Sequence, residues 1–196
     1  MSQRYELRFS GAGGQGLILA GIIMAEAAAI YDGKQALQSQ SYGPEARGGA
    51  SKSEVIISDD PIDYPKATAV DALLALTQEA CDKYSGDLKE GAILLVDSDL
   101  VKKIPKGDFL LVGFPIINTA KNEVGRTIVA NIVALGAMVA LTGVVTKASV
   151  EKAVLSRVPE AFRELNLKAL QIGFDKAMSA RETSFTQMGE EFHLSR

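Results

Sequence analysis

A strand that runs into a glycine turn and then into a long apolar helix is the feature that most limits what this chain can fold into. In Tyr5-Glu-Leu-Arg-Phe-Ser-Gly11, Tyr5, Leu7 and Phe9 alternate with Glu6 and Arg8, the period of two that marks a strand. Gly11-Ala12-Gly13-Gly14-Gln15-Gly16 follows. Gln15 to Tyr31 then reads as a helix, and its Ala20, Gly21, Ala25, Ala27, Ala28 and Ala29 let it lie close to a sheet. Gly11, Gly13 and Gly16 satisfy G-x-G-x-x-G in strand-turn-helix context. Glycines there allow a tight turn and close approach of a ligand to the backbone, and the free N–H groups at the helix start face an incoming anion. The bland alternative is that they serve helix-sheet packing alone.

A dinucleotide fold also wants an acidic residue about 20 residues after the glycines, to hold the ribose hydroxyls. That window is Gln38-Ser39-Gln40-Ser41, with no carboxylate, and no arginine for a 2′-phosphate. The turn therefore suits an anion without the ribose grip of NAD.

Further strands are expected at Gln35 to Gln40 and Ala50 to Ser58, with the loop Tyr42 to Gly49 between them. Apolar runs at Ala72 to Leu76, Ala92 to Val96 and Phe109 to Val112 are continuous, as in strands covered on both faces. A short helix at Glu79 to Tyr84 and turns at Lys89-Glu-Gly91 and Pro105-Lys-Gly107 separate them. Helices then dominate, at Thr127 to Leu141, Lys147 to Arg157 and Glu160 to Ser179. This order predicts a three-layer α/β/α sandwich with a mostly parallel, mixed sheet, Rossmann-like in kind. The sandwich takes residues 1–179, and 180–196 reads as a polar C-terminal tail, mobile or bound to a partner.

A net charge of −3 argues against a dedicated nucleic-acid binder. The N-terminus lacks a signal-peptide core, and the longest apolar stretch, Ile128 to Val145, is interrupted by Asn131 and Thr142, so it reads as a buried helix and not a membrane span. A cytoplasmic protein is expected. The lone cysteine, Cys81, excludes an internal disulfide or a cysteine-ligated cluster built by this chain; an inert thiol is expected.

Two further constellations are candidates. In Ser41 to Lys52, Arg47 stands beside Gly48-Gly49 and can present its fork to a carboxylate or phosphate. A solvated loop with an internal Glu45–Arg47 pair is the alternative. Asn118 and Thr119 follow a strand at the edge where ligands of open α/β sheets gather, and they can bind a ligand or cap a turn. Thr127 is an N-cap candidate, and Asn131 on an apolar helix needs a hydrogen-bond partner. His193, the only histidine, lies in the tail and is a poor catalytic candidate. No paired carboxylates, Ser-His-Asp set or metal-ligand spacing stands out, so no catalytic residue is assigned.

Taken together, Gly11 to Gly16, Ser41-Tyr-Gly-Pro-Glu-Ala-Arg-Gly-Gly-Ala-Ser-Lys-Ser-Glu54 and Asn131-Ile-Val-Ala-Leu-Gly-Ala137 resemble the gamma subunit of 2-oxoacid:ferredoxin oxidoreductases. The resemblance spans roughly residues 4 to 178 and is nearest to the 2-oxoglutarate or generic 2-oxoacid members. It implies a subunit of an enzyme that decarboxylates a 2-oxoacid on thiamine diphosphate, passes electrons through iron–sulfur clusters to ferredoxin and releases an acyl-CoA. Thiamine diphosphate would then lie between alpha and beta subunits, and the clusters on beta or a small delta chain. Here Gly86-Asp87-Leu88 is not followed by the asparagine pattern of a thiamine-diphosphate motif. Carried over by position, CoA binding falls to Gly11, Ala12, Gly13, Gly14, Gln15 and Gly16, with Arg47 for a phosphate. Two other readings stay open: a free-standing nucleotide-binding or regulatory module, and a structural assembly subunit. Expressed alone, the chain is expected to pair as a homodimer through the small-residue surface of Thr127 to Leu141.

Overall fold

The structure is a computed structural model that describes residues 4–41 and 49–194, with side chains up to residue 182. Six strands form one sheet in the order β2-β3-β1-β4-β5-β6. They are β1 (Tyr5–Ala12), β2 (Gln35–Ser41), β3 (Ala50–Ser58), β4 (Val70–Ala75), β5 (Leu88–Asp97) and β6 (Phe109–Phe114). Strands β1, β4, β5 and β6 run parallel, while β3 is antiparallel to both β1 and β2. The mixed sheet matches the expectation from sequence. Lys89-Glu-Gly91 does not turn the chain as expected: it lies inside β5, where Gly91 takes a φ of 74°.

Most helices cover one face. After β1 comes α1 (Leu17–Glu26), extended by a wider π turn over Ala27–Tyr31. The others on this face are α3 (Ile116–Thr119), α4 (Ala130–Thr142), α5 (Lys147–Arg157) and α6 (Arg163–Leu194). They pack on the inward residues Leu7 and Phe9 of β1, Val55 and Ile57 of β3, and Ala72 and Leu74 of β4 to form the main core. Helix α4 is buried nearly all round, because α6 closes its outer side. The small-residue surface expected to pair two copies is thus spent inside one chain. Its glycines matter here: a Cβ on Gly136 would lie 2.1 Å from the Leu170 carbonyl oxygen, and one on Gly173 would lie 1.9 Å from that of Val133. No side chain fits between backbones at that distance.

The opposite face carries α2 (Gln78–Tyr84) and a smaller core of Val70, Leu73, Ala75, Cys81, Leu94, Val96 and Val101. Glu6 and Arg8 point to this face yet are only 3% exposed. Arg8 forks onto both Asp87 oxygens, at 2.5 and 2.7 Å, and its Nε donates to Glu54 at 2.8 Å. Glu6 accepts the backbone N–H groups of Thr68 and Ala69. A buried charge persists only when paired and hydrogen-bonded, and these are. The alternation in β1 therefore separates an apolar core from a buried ionic one, not core from solvent.

Helix α6 runs unbroken through Ala180 to Leu194, where the sequence suggested an end at Ser179. None of the helices among the described residues is long and apolar enough to cross a membrane.

Candidate functional site

The glycine turn sits at the C-terminal edge of β1, in the middle of the sheet. To one side the chain leaves for the β2-β3 hairpin, and to the other it returns as β4. Such a switch point opens a crevice outside the strand ends, where open α/β sheets bind ligands. The turn is held from within. Gln15 folds back so that its Oε1 accepts the Ala12 N–H at 2.7 Å, and the Gln15 N–H donates to the Ala12 carbonyl at 3.3 Å. Gly16 caps α1 with a φ of 74°, a left-handed conformation that L side chains resist, and it offers no side chain to the helix N–H groups. The first helical turn thus presents unsatisfied donors and the positive end of the helix dipole.

The second sequence motif is brought against the first. Gly11 and Ala12 pair with Ser51 and Ala50, and the Gly13 N–H donates to the Gly49 carbonyl at 3.3 Å. Tyr84 of α2 anchors the same spot, its hydroxyl donating to the Ala50 carbonyl at 3.0 Å. Arg47 and the rest of Tyr42 to Gly48 lie outside the described residues, but Ser41 and Gly49, which flank them, stand at this edge.

Beside the turn opens a cavity of about 740 Å³. Gly14, Gln15, Gly16 and Leu19 form one wall, Leu76 and Ile117 the sheet edge. Residues 126–132 supply a second wall, and Val158, Pro159, Phe162, Leu165 and Asn166 close it. Leu19, Phe162 and Ile128 keep much apolar surface exposed there, Ile128 being 80% exposed. Asn131 lies directly under the turn, and its Nδ2 donates to the Gly16 carbonyl at 3.1 Å. Nearby backbone is thus the partner that the sequence demanded for this buried amide. Thr127 does not cap: a tight 3₁₀ turn over Thr127–Val129 leads into α4, with Arg126 at its start and no side-chain cap.

Asn118 and Thr119 fall outside the cavity lining. Asn118 donates its Nδ2 to Asp99 at 2.5 Å, and Thr119 is buried in α3. Their neighbour Ile117 reaches the cavity instead, held by a bond from its N–H to fully buried Asp97 at 2.9 Å. Leu76, Ile117, Arg126 and Phe162 carry no local motif, since only the fold gathers them. Asn131 and Asn166 did carry a signal, as amides on helix faces that the apolar pattern marks for burial.

The described residues offer no ligand set for a metal cluster. Cys81 is buried on α2, and no group of three or more His, Cys, Asp or Glu among the described residues could hold a metal. Burial pushes the Asp87 carboxyl up, yet hydrogen bonds and charge from Arg8 outweigh it and hold the group below the usual range. That carboxylate is committed to structure.

Fold and site together define a Rossmann-like α/β chain with an open cavity beside the glycine turn at the switch point of its sheet. Residues 6–176 match the family described as pyruvate ferredoxin/flavodoxin oxidoreductase. The 2-oxoglutarate synthase subunit KorC of Methanocaldococcus jannaschii is 54% identical over 179 residues, 90% of this chain and 96% of that one. A solved keto/oxoacid ferredoxin oxidoreductase gamma subunit from Geobacter sulfurreducens is 77% identical over 91% of this chain and 98% of its own, with a TM-score of 0.86. The chain also matches 31% of a longer chain, that of the 2-oxoglutarate:ferredoxin oxidoreductase from Magnetococcus marinus solved with 2-oxoglutarate, coenzyme A and succinyl-CoA. There the match covers 90% of this chain at 25% identity and a TM-score of 0.79. The chain belongs to the pyruvate ferredoxin/flavodoxin oxidoreductase family, as a gamma subunit of a 2-oxoacid:ferredoxin oxidoreductase complex.

Proposed function

We propose that this gamma subunit holds CoA for a complex that oxidatively decarboxylates 2-oxoglutarate. The observation that carries the reading is the glycine turn: an uncapped helix N-terminus opening on a large cavity at the switch point of the sheet. CoA carries phosphates, which suit such a turn, and it needs no ribose-binding acid after β2. The bound CoA of the Magnetococcus marinus enzyme supports the choice of ligand, and the name of the Methanocaldococcus jannaschii relative supports 2-oxoglutarate.

In this reading Gly11 to Gly16 meet the CoA phosphates and Arg47 adds a cation. Thiamine diphosphate and the iron–sulfur clusters belong to alpha and beta subunits, with a delta subunit as a further site for clusters. Electrons leave to ferredoxin through those partners. This chain binds, orients and closes the site; its residues carry no step of the decarboxylation.

The test is calorimetric titration of CoA into the reconstituted complex, with and without this chain. CoA binding that appears only when the chain is present supports the reading. Unchanged CoA affinity in the complex assembled without it refutes the reading.

A further inference from the structure

The buried ion cluster on the α2 face of the sheet is tied to the glycine turn by a short chain of contacts. Arg8, which forks onto Asp87, also donates Nη1 to the Tyr84 carbonyl at 2.9 Å. Arg8, Lys52 and Lys83 place their cationic groups 5.9, 5.6 and 5.5 Å from the centre of the Tyr84 ring. The face of an aromatic ring attracts cations, so Tyr84 is held both at its backbone and at its ring.

From there α2 closes on one residue of β3. The Tyr84 hydroxyl donates to the Ala50 carbonyl at 3.0 Å, and Glu79 Oε1 accepts the Ala50 N–H at 3.2 Å. Both backbone polar groups of Ala50 are thus engaged by side chains of a single helix. The Ala50 N–H belongs to the same planar peptide unit as the Gly49 carbonyl, and in a trans unit the two point in opposite directions. That carbonyl accepts the Gly13 N–H at 3.3 Å. Fixing one end of the plane therefore aims the other at the turn, and a carboxylate on the N–H strengthens the carbonyl as an acceptor. Gly13, Gly14 and Gly49 bring no side chains of their own to lock this backbone, so an outside anchor decides its shape.

We propose that Glu79 and Tyr84 are positioning residues for the glycine turn, acting through the Gly49–Ala50 peptide on the Gly13 N–H. The role rests on the CoA reading above, since affinity for CoA is what reports the shape of the turn. Neither residue lines the cavity, so each works through Gly49 and Gly13. The ion cluster of Arg8 then serves the turn as well as the fold, because it holds Tyr84.

The experiment uses the reconstituted complex with Tyr84→Phe, Glu79→Ala and Glu79→Gln. Tyr84→Phe keeps the ring and removes the hydroxyl, while Glu79→Gln keeps an acceptor oxygen that Glu79→Ala lacks. Hydrogen exchange of the segment 11–16, followed by mass spectrometry without CoA, reads the turn itself. Tyr84→Phe and Glu79→Ala should each speed that exchange and raise the KM for CoA roughly threefold to tenfold, the worth of one hydrogen bond. The melting temperature should hold, kcat and the KM for 2-oxoglutarate should stay within about twofold, and Glu79→Gln should behave as the parent. If neither exchange nor the KM for CoA moves, the positioning role is overturned and the CoA reading is left to Gly13→Asp. If exchange quickens but the KM for CoA holds, the role is again overturned: a raised KM in Gly13→Asp then keeps the CoA reading, and an unchanged one removes it. A fall in kcat and melting temperature, with both KM values altered together, marks a purely structural contact and also overturns the proposal.

Discussion

Asn131 and Gly16 hold each other in place: the Asn131 Nδ2 donates to the Gly16 carbonyl at 3.1 Å, and a Cβ on Gly16 would lie 2.6 Å from that same nitrogen. Helix α4 thus sets the conformation of the turn that starts α1. Gly16→Ala combines a left-handed backbone with this collision, and should cost about 1–3 kcal/mol in a denaturant melt. Asn131→Ala removes the colliding atoms. The double variant should therefore be less destabilised than the sum of the singles, and strict additivity would show that the two residues do not share this contact.

The contact between α4 and α6 predicts a steeper loss. Gly173→Ala drives a methyl into the Val133 carbonyl, and neither backbone can yield without separating the helices. Overpacking of this kind costs about 1–3 kcal/mol or more, so a fall in melting temperature of several degrees is expected. Gly86→Ala is the control, since nothing lies within 4 Å of its added Cβ and its φ is not positive. It should melt within a degree or so of the parent.

Acid should unfold the chain partly through Asp87. Burial raises its pKa, but the bonds and charge of Arg8 dominate and lower it below the unfolded value. A group depressed on folding contributes stability above the unfolded carboxylate pKa of about 3.9 and loses it as pH falls through the folded value. Stability measured by chemical denaturation should therefore drop below about pH 4, and Asp87→Asn should flatten that limb at the expense of stability near neutrality. An acid limb identical in parent and variant would show that the Arg8 pair carries no such linkage.

Cys81 should be silent in the native state. It is fully buried on α2, and burial, followed by the charge of Asp82, pushes its thiol up. Thiolate is the reactive form, so a chromogenic disulfide reagent at pH 8 should label the native chain slowly and the unfolded chain at once. Rapid labelling of the native chain would place Cys81 at the surface.

The strand-turn-helix entry was legible because periodicity and glycine spacing are local. The bounds of β3 and α5 agree with the runs Ala50 to Ser58 and Lys147 to Arg157. Gly91 misled, since a glycine turn signal inside β5 only kinks a strand that β4 and β6 hold on both sides. Thr127 misled as well: the donors it was expected to cap are handled by a 3₁₀ turn begun one residue earlier. The buried pairing of Arg8 was hidden, because Asp87 and Glu54 reach it only through sheet topology. The cavity was hidden for the same reason, since its walls come from segments more than 100 residues apart.

The measurement closest to the central claim is the KM for CoA of the complex carrying Gly13→Asp. A carboxylate placed in the turn opposes the CoA phosphates by charge and by bulk. The account predicts an increase of tenfold or more, with the KM for 2-oxoglutarate and the assembly of the complex unchanged. An unchanged KM for CoA in an intact complex would contradict it, and the turn would then be a contact between subunits.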